Sequence, residues 1–158
     1  MIRNVVISSA LGIVGMLASS SRVAAAPPSD PCALLTTAEA SAALGGTVSG
    51  GKSLAGSVCQ WSQQGKLGDV LLKLSVDIIT PDHYARMKSV VAGTVTPVSG
   101  LGDDAYYATL QTGKTTQTTL NVKKGGTAVV IRVTGGIKPA ADYQAKEKAV
   151  AQALVPKL

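Results

Sequence analysis

Phenylalanine is absent from this chain of 158 residues, histidine and tryptophan occur once each, and cysteine occurs twice. Each shortage removes a class of function. Aromatic residues make up only 3% of the chain and its lysines are dispersed, Lys123 and Lys124 being the one adjacent pair. Nucleic-acid surfaces combine clustered basic residues with aromatic stacking groups, so no nucleic-acid partner is expected. One histidine and two cysteines are too few for a tetrahedral zinc site, and nothing in the pattern asks for a metal or a cofactor. The longest apolar stretch, Val5 to Ala18, is about 14 residues against the roughly 20 a spanning helix needs.

That stretch is informative in another way. Residues 1–25 carry Arg3 in a short basic start, the apolar run, and then Val23, Ala24 and Ala25 as small residues. This three-part order is that of a cleavable secretory signal, with Ala26 expected as the first mature residue. Cleavage takes Arg3 and Arg22 away and leaves 13 basic against 9 acidic side chains, a net charge of +4. No cysteine directly follows the small-residue tripeptide, so no lipid and no lasting membrane anchor is expected. The product is expected in the periplasm or outside the cell.

In such a compartment the two cysteines, Cys32 and Cys59, have one possible pairing. Closing that loop stabilises a fold by about 3–4 kcal/mol in the chain-entropy account. A redox pair would favour C-x-x-C spacing instead.

Past an extended Pro-rich arm at residues 26–31, residues 32–158 read as one domain. Thr36 and Glu39 have capping-box spacing ahead of an Ala-rich helix that ends at Gly45 and Gly46. Gly45 to Gly56 reads as a mobile loop. Around Val58 to Gln63 a strand puts Cys59 and Trp61 on one side. Val70 to Ile78 alternates apolar and polar residues at period two. Thr80 and Pro81 start a second helix that stops by Gly93. Ala105 to Leu110 is a strand, and Thr118 to Lys123 with Ala128 to Val133 forms a hairpin around Gly125 and Gly126. A last helix carries Ala140, Tyr143, Val150, Ala151 and Leu154 on its apolar face. The expected fold is α+β: an antiparallel sheet of about five strands with helices packed on one face. Its order is helix, two strands, helix, three strands, helix, with a ββα pseudo-repeat.

Four constellations bear on chemistry. Gly46 to Ser53 matches the phosphate-loop pattern G-x-x-x-x-G-K-S, but such a loop follows a strand and opens a helix, whereas this run follows a helix and leads into a strand. His83, with Asp77 or Asp82 as orienting carboxylate, is the one candidate for a general base, which keeps a small secreted hydrolase as the alternative; no serine motif accompanies it. Asp103 and Asp104 are adjacent, so on a strand they face opposite ways, which favours a turn role. Finally, Lys73, Ser75, Asp77, Asn121, Lys123 and Arg132 fall on the polar side of the strands. An open, mildly basic sheet face of this kind can hold an anionic ligand or a partner.

Asp30-Pro31-Cys32-Ala33-Leu34-Leu35-Thr36, the Leu-Gly at the first helix end, Cys59-Gln60-Trp61 and Gly100-Leu101-Gly102-Asp103-Asp104-Ala105 together resemble a family of small exported bacterial domains of unknown function. Many members are envelope lipoproteins. The resemblance implies fold and location and no catalytic residues. The expectation is an exported binding domain, leaning away from catalysis, for an envelope or extracellular protein or a small ligand. A third reading is an inhibitor of a secreted hydrolase, presenting a loop braced by the cysteine pair.

Overall fold

The computed structural model describes residues 28–65, 70–113, 115–136 and 138–158. The expected signal segment, residues 66–68 of the turn expected over Gly65 to Gly68, and the expected mature N-terminus lie outside these residues. Pro31, expected in an extended arm, instead opens a single 3-10 turn, Pro31–Ala33, because Asp30 caps it by accepting the Cys32 N–H at 2.8 Å.

Helix α1 (Thr37–Leu44) starts at a complete capping box: Thr36 Oγ1 accepts the Glu39 N–H, and the Glu39 carboxylate accepts the Thr36 N–H. It ends where Gly45 adopts a left-handed φ of 76°. The next strands are β1 (Lys52–Leu54), β2 (Val58–Gln64) and β3 (Val70–Ile79), followed by helix α2 (Pro81–Val90). Four more strands follow, β4 (Thr94–Pro97), β5 (Asp104–Thr112), β6 (Thr115–Lys124) and β7 (Thr127–Thr134), and then helix α3 (Ala140–Leu154).

The fold is α+β, with one antiparallel sheet of seven strands in the order β1-β2-β3-β7-β6-β5-β4. The expectation of about five strands missed β1 and β4, and both are edges. β1 is three residues long with every side chain exposed, and β4 carries Pro97, so neither shows the alternation of a half-buried strand. The Gly45 to Gly56 stretch is therefore not a free loop. The Ser49 N–H donates to Ser62 O, and Lys52 to Leu54 pairs with Val58 to Gln60. Gly51 is required there, because a Cβ would lie 2.8 Å from Cys59 Sγ and 2.9 Å from the Trp61 ring.

Placing the helices on one face is also corrected. Residues Cys59, Trp61, Leu72, Leu74, Val76, Leu120, Val122, Val129 and Ile131 point to one side and form the main core with Leu44 of α1 and Tyr143, Val150 and Leu154 of α3. The Cys32–Cys59 disulfide closes this side. Tyr84 of α2 packs on the other side, against Tyr106 and Ala128. Topology explains why. The chain leaves β3 in the sheet centre and must reach β4 at the far edge, four strand spacings or about 19 Å away. With α1 and α3 filling one face, the crossing is made over the other, and a ten-residue helix supplies about 15 Å of it.

The ββα pseudo-repeat does not survive this arrangement. A two-fold axis exchanging antiparallel neighbours β3 and β7 stands perpendicular to the sheet and would put the helices after them on the same face. They lie on opposite faces.

Candidate functional site

The six polar residues expected on an open face do share one. The register links Tyr106, Asn121, Val130 and Asp77 in one transverse row, with Asp104 and Lys123 in the next. The face is not open where they sit. Helix α2 roofs part of it and Asn121 is fully buried, while Lys73 and Arg132 remain exposed. Arg132 Nε donates to Thr119 Oγ1 at 3.4 Å.

Under α2, Lys88 Nζ pairs with Asp104 Oδ2 at 2.7 Å and stands 5.4 Å above the Tyr106 ring centre. Tyr84 and Tyr106 meet edge to face at 5.3 Å. The lysine, above all, holds the Asp104 carboxyl below its usual range. Burial raises both tyrosines, with the Asp104 carboxylate as a second cause at each. The approach of that carboxylate to the Tyr84 hydroxyl falls short of hydrogen-bond geometry. Among the described residues, four buried oxygens of this seam have no hydrogen-bond partner: Asp77 Oδ1, Tyr84 Oη, Tyr106 Oη and Asn121 Oδ1.

The other candidates separate. His83 sits exposed in the first turn of α2, its backbone N–H donating to Thr80 Oγ1. Among the described residues the imidazole makes no hydrogen bond or ion pair with Asp77 or Asp82. Asp103 and Asp104 diverge as expected: Asp103 Oδ2 accepts the Gly125 N–H at 2.7 Å and holds the β6–β7 turn, while Asp104 faces α2. The Gly46 to Ser53 run lies along β2, with Lys52 and Ser53 inside strand β1 rather than at a helix start.

Sequence reading missed a cleft of about 710 Å3 on the α1/α3 side, at the end of the sheet formed by β2, β3 and β7. Its walls are Ala43, Leu71, Leu72 and Ala145, its polar groups Gln63, Lys138, Asp142 and Lys146. The Tyr143 hydroxyl lies over the carbonyls of Gly135 and Gly136 at 2.8 and 2.9 Å, which ties down the turn after β7. Gly135, at φ 120°, is needed there because any Cβ would run into the Leu71 carbonyl. Lys146 Nζ donates to Leu44 O at 2.7 Å and fastens α3 to the end of α1. A Cβ at Gly46 would collide with the Gln63 amide, so glycine lets that side chain lie flat at the cleft floor.

One turn along α3, Glu147 is fully buried. It fills the place where β6 and β7 part. Their pairing stops at Leu120 and Ile131, and beyond it Glu147 Oε1 accepts the Val133 N–H and the Thr118 hydroxyl, each at 3.1 Å. Burial pushes its carboxyl up to about 8, against the lowering effect of those two bonds. Oε2 has no partner among the described residues. The sequence held a signal for this residue, since position 147 lies on the stripe of Tyr143, Val150 and Leu154.

No family model, no curated protein and no solved structure matches this chain. Among the described residues no three of histidine, cysteine, aspartate and glutamate gather as metal ligands, and no helix is long and apolar enough to cross a membrane.

Proposed function

We propose that this protein is an exported binding domain, periplasmic or extracellular, that holds a small ligand in the cleft between α1, α3 and the β2/β3/β7 end of the sheet. The cleft carries the reading: its volume falls in the roughly 300–1,000 Å3 range of small-molecule pockets, with apolar walls and a few convergent polar groups. The disulfide supports a compartment outside the cytoplasm. Similarity to small exported domains, carried by Asp30 to Thr36 and Cys59 to Trp61, agrees with that location. The sheet face with Lys73 and Arg132 is the weaker site, since α2 has taken Asn121 out of it.

Binding is tested on the processed chain with dodecyl maltoside, kept below its micelle concentration, by mapping amide NMR shifts. Shifts centred on Ala43, Gln63, Leu72 and Ala145 are expected. Shifts centred on Lys73 and Arg132 would move the site to the other face and end this reading. Intact mass of protein recovered outside the cytoplasm checks processing: a chain starting at Ala26 and lacking free thiols is expected.

A further inference from the structure

Resting on the cleft reading, we infer that the ligand is an amphiphile with one acidic head, a carboxylate or a phosphate monoester, on a hydrocarbon body. The body is indicated by the walls. Leu71 is 47% exposed and Leu72 lies beside it, with Ala43 and Ala145 across the gap. An apolar face left open in this way gains about fourfold in affinity for each methylene group it removes from water. A sugar or a nucleobase is disfavoured by the same surface. Such rings are held by stacking on aromatic faces, and the one aromatic side chain of the lining, Tyr143, is buried with its hydroxyl engaged.

The sign of the head is indicated by the rim. Two lysines, Lys138 and Lys146, oppose one acid, Asp142. Lys138 is exposed and makes no ion pair or hydrogen bond among the described residues. Gln63 is nine-tenths buried, and its side chain likewise makes no hydrogen bond among them. Helix α3 begins at Ala140 without a side-chain cap, so its first-turn N–H groups add their positive end beside Lys138. Cations and uncapped helix N–H groups at the rim of an apolar slot, with a free amide at its floor, suit an anion attached to an apolar tail, and they repel an ammonium head.

The test is titration calorimetry on the processed chain with dodecanoate, dodecyl phosphate, dodecyltrimethylammonium and dodecyl maltoside, all below their micelle concentrations. Both acids are expected to bind best, weakening about fourfold for each methylene removed in the decyl and octyl homologues. Lys138→Glu is expected to weaken the acids about fivefold and Asp142→Asn to strengthen them about threefold; both side chains are exposed, so neither change threatens folding. Vesicles containing phosphatidic acid, whose head is a phosphate monoester, separate the sources. Protein released from them with one phospholipid in its native mass takes its acid from a bilayer, whereas dodecanoate binding without such extraction assigns a free acid. If the ammonium and the maltoside bind as tightly as the acids and Lys138→Glu changes nothing, the acidic head is wrong and the cleft stands. If dodecanoate fails to bind, or binds Ala145→Trp as well as the parent, the cleft itself is not the site.

Discussion

The two faces of this sheet are packed to different standards. On the α1/α3 face the buried polar groups are nearly all tied: the Tyr107 hydroxyl donates to Gln144 O at 2.7 Å, the Tyr143 hydroxyl reaches two carbonyls, and the Thr118 hydroxyl donates to Glu147. Among the described residues, Glu147 Oε2 and the side-chain amide of Gln63 at the cleft are left over. On the α2 face, which a helix with a single buried residue, Tyr84, partly roofs, four oxygens have no partner among the described residues. A buried polar group without a partner costs about 1–3 kcal/mol. The α1/α3 face holds the larger core, and the α2 face is covered where the chain crosses the sheet to reach β4. Local opening is therefore expected to start at α2.

The largest loss of stability in this comparison comes from the core. Leu74 on β3 is fully buried on the α1/α3 face, and Leu74→Ala is expected to lower unfolding free energy by about 3 kcal/mol. Val90 at the end of α2 is 74% exposed, and Val90→Ala is expected to stay within about 0.5 kcal/mol. Urea unfolding midpoints measure both. Equal losses would mean that α2 is held as firmly as the core.

Glu147 comes next. Its folded pKa of about 8 lies above the ordinary 4.5, so the folded state holds the proton more tightly than the unfolded chain does. The stability tied to that proton is complete below pH 4.5 and is lost as pH rises through 8. Glu39 is the opposite case, drawn down to about 2 chiefly by Lys157, so its share is present above pH 4.5 and lost as pH falls through 2. Glu147→Gln keeps an acceptor for the Val133 N–H and removes the charge. It is expected to flatten the stability profile between pH 5 and 8 and to leave the variant about 4 kcal/mol ahead of the parent at pH 8. An unchanged slope would show that the carboxyl is not protonated in the fold.

These contrasts also mark what could be read from sequence. The period-two alternation of β3 was legible because one side of that strand is buried along its length, and the caps at Thr36 and Thr80 were legible because their chemistry is local. β1 and β4 were not, since short edge strands need bury nothing. The side chosen by α2 was not legible either: Tyr84 marks an inner surface but not which face of the sheet receives it. The cleft was least accessible, because Gln63, Lys138 and Tyr143 come from segments far apart in the chain and are joined only by tertiary packing. Alternation put Lys73, Asp77, Asn121, Lys123 and Arg132 on one common face, but it carries no information about what lies above that face, which α2 partly covers.

The smallest expected effect is the sharpest test, because it rests on two neighbours. Tyr106 and Tyr107 are adjacent on β5 and point to opposite faces, both buried. The Tyr107 hydroxyl has a partner in Gln144 O, and Tyr107→Phe is expected to cost about 1 kcal/mol. The Tyr106 hydroxyl has none among the described residues, and Tyr106→Phe removes a desolvated group while keeping the ring against Tyr84 and under Lys88. That change is expected to be neutral or to stabilise by up to about 1 kcal/mol. Opposite signs at adjacent positions, with the same atom removed from the same residue type, would trace the difference to the faces themselves. Equal losses would mean that the seam beneath α2 holds ordered water bonded to Tyr106, and the two faces would then be equally satisfied.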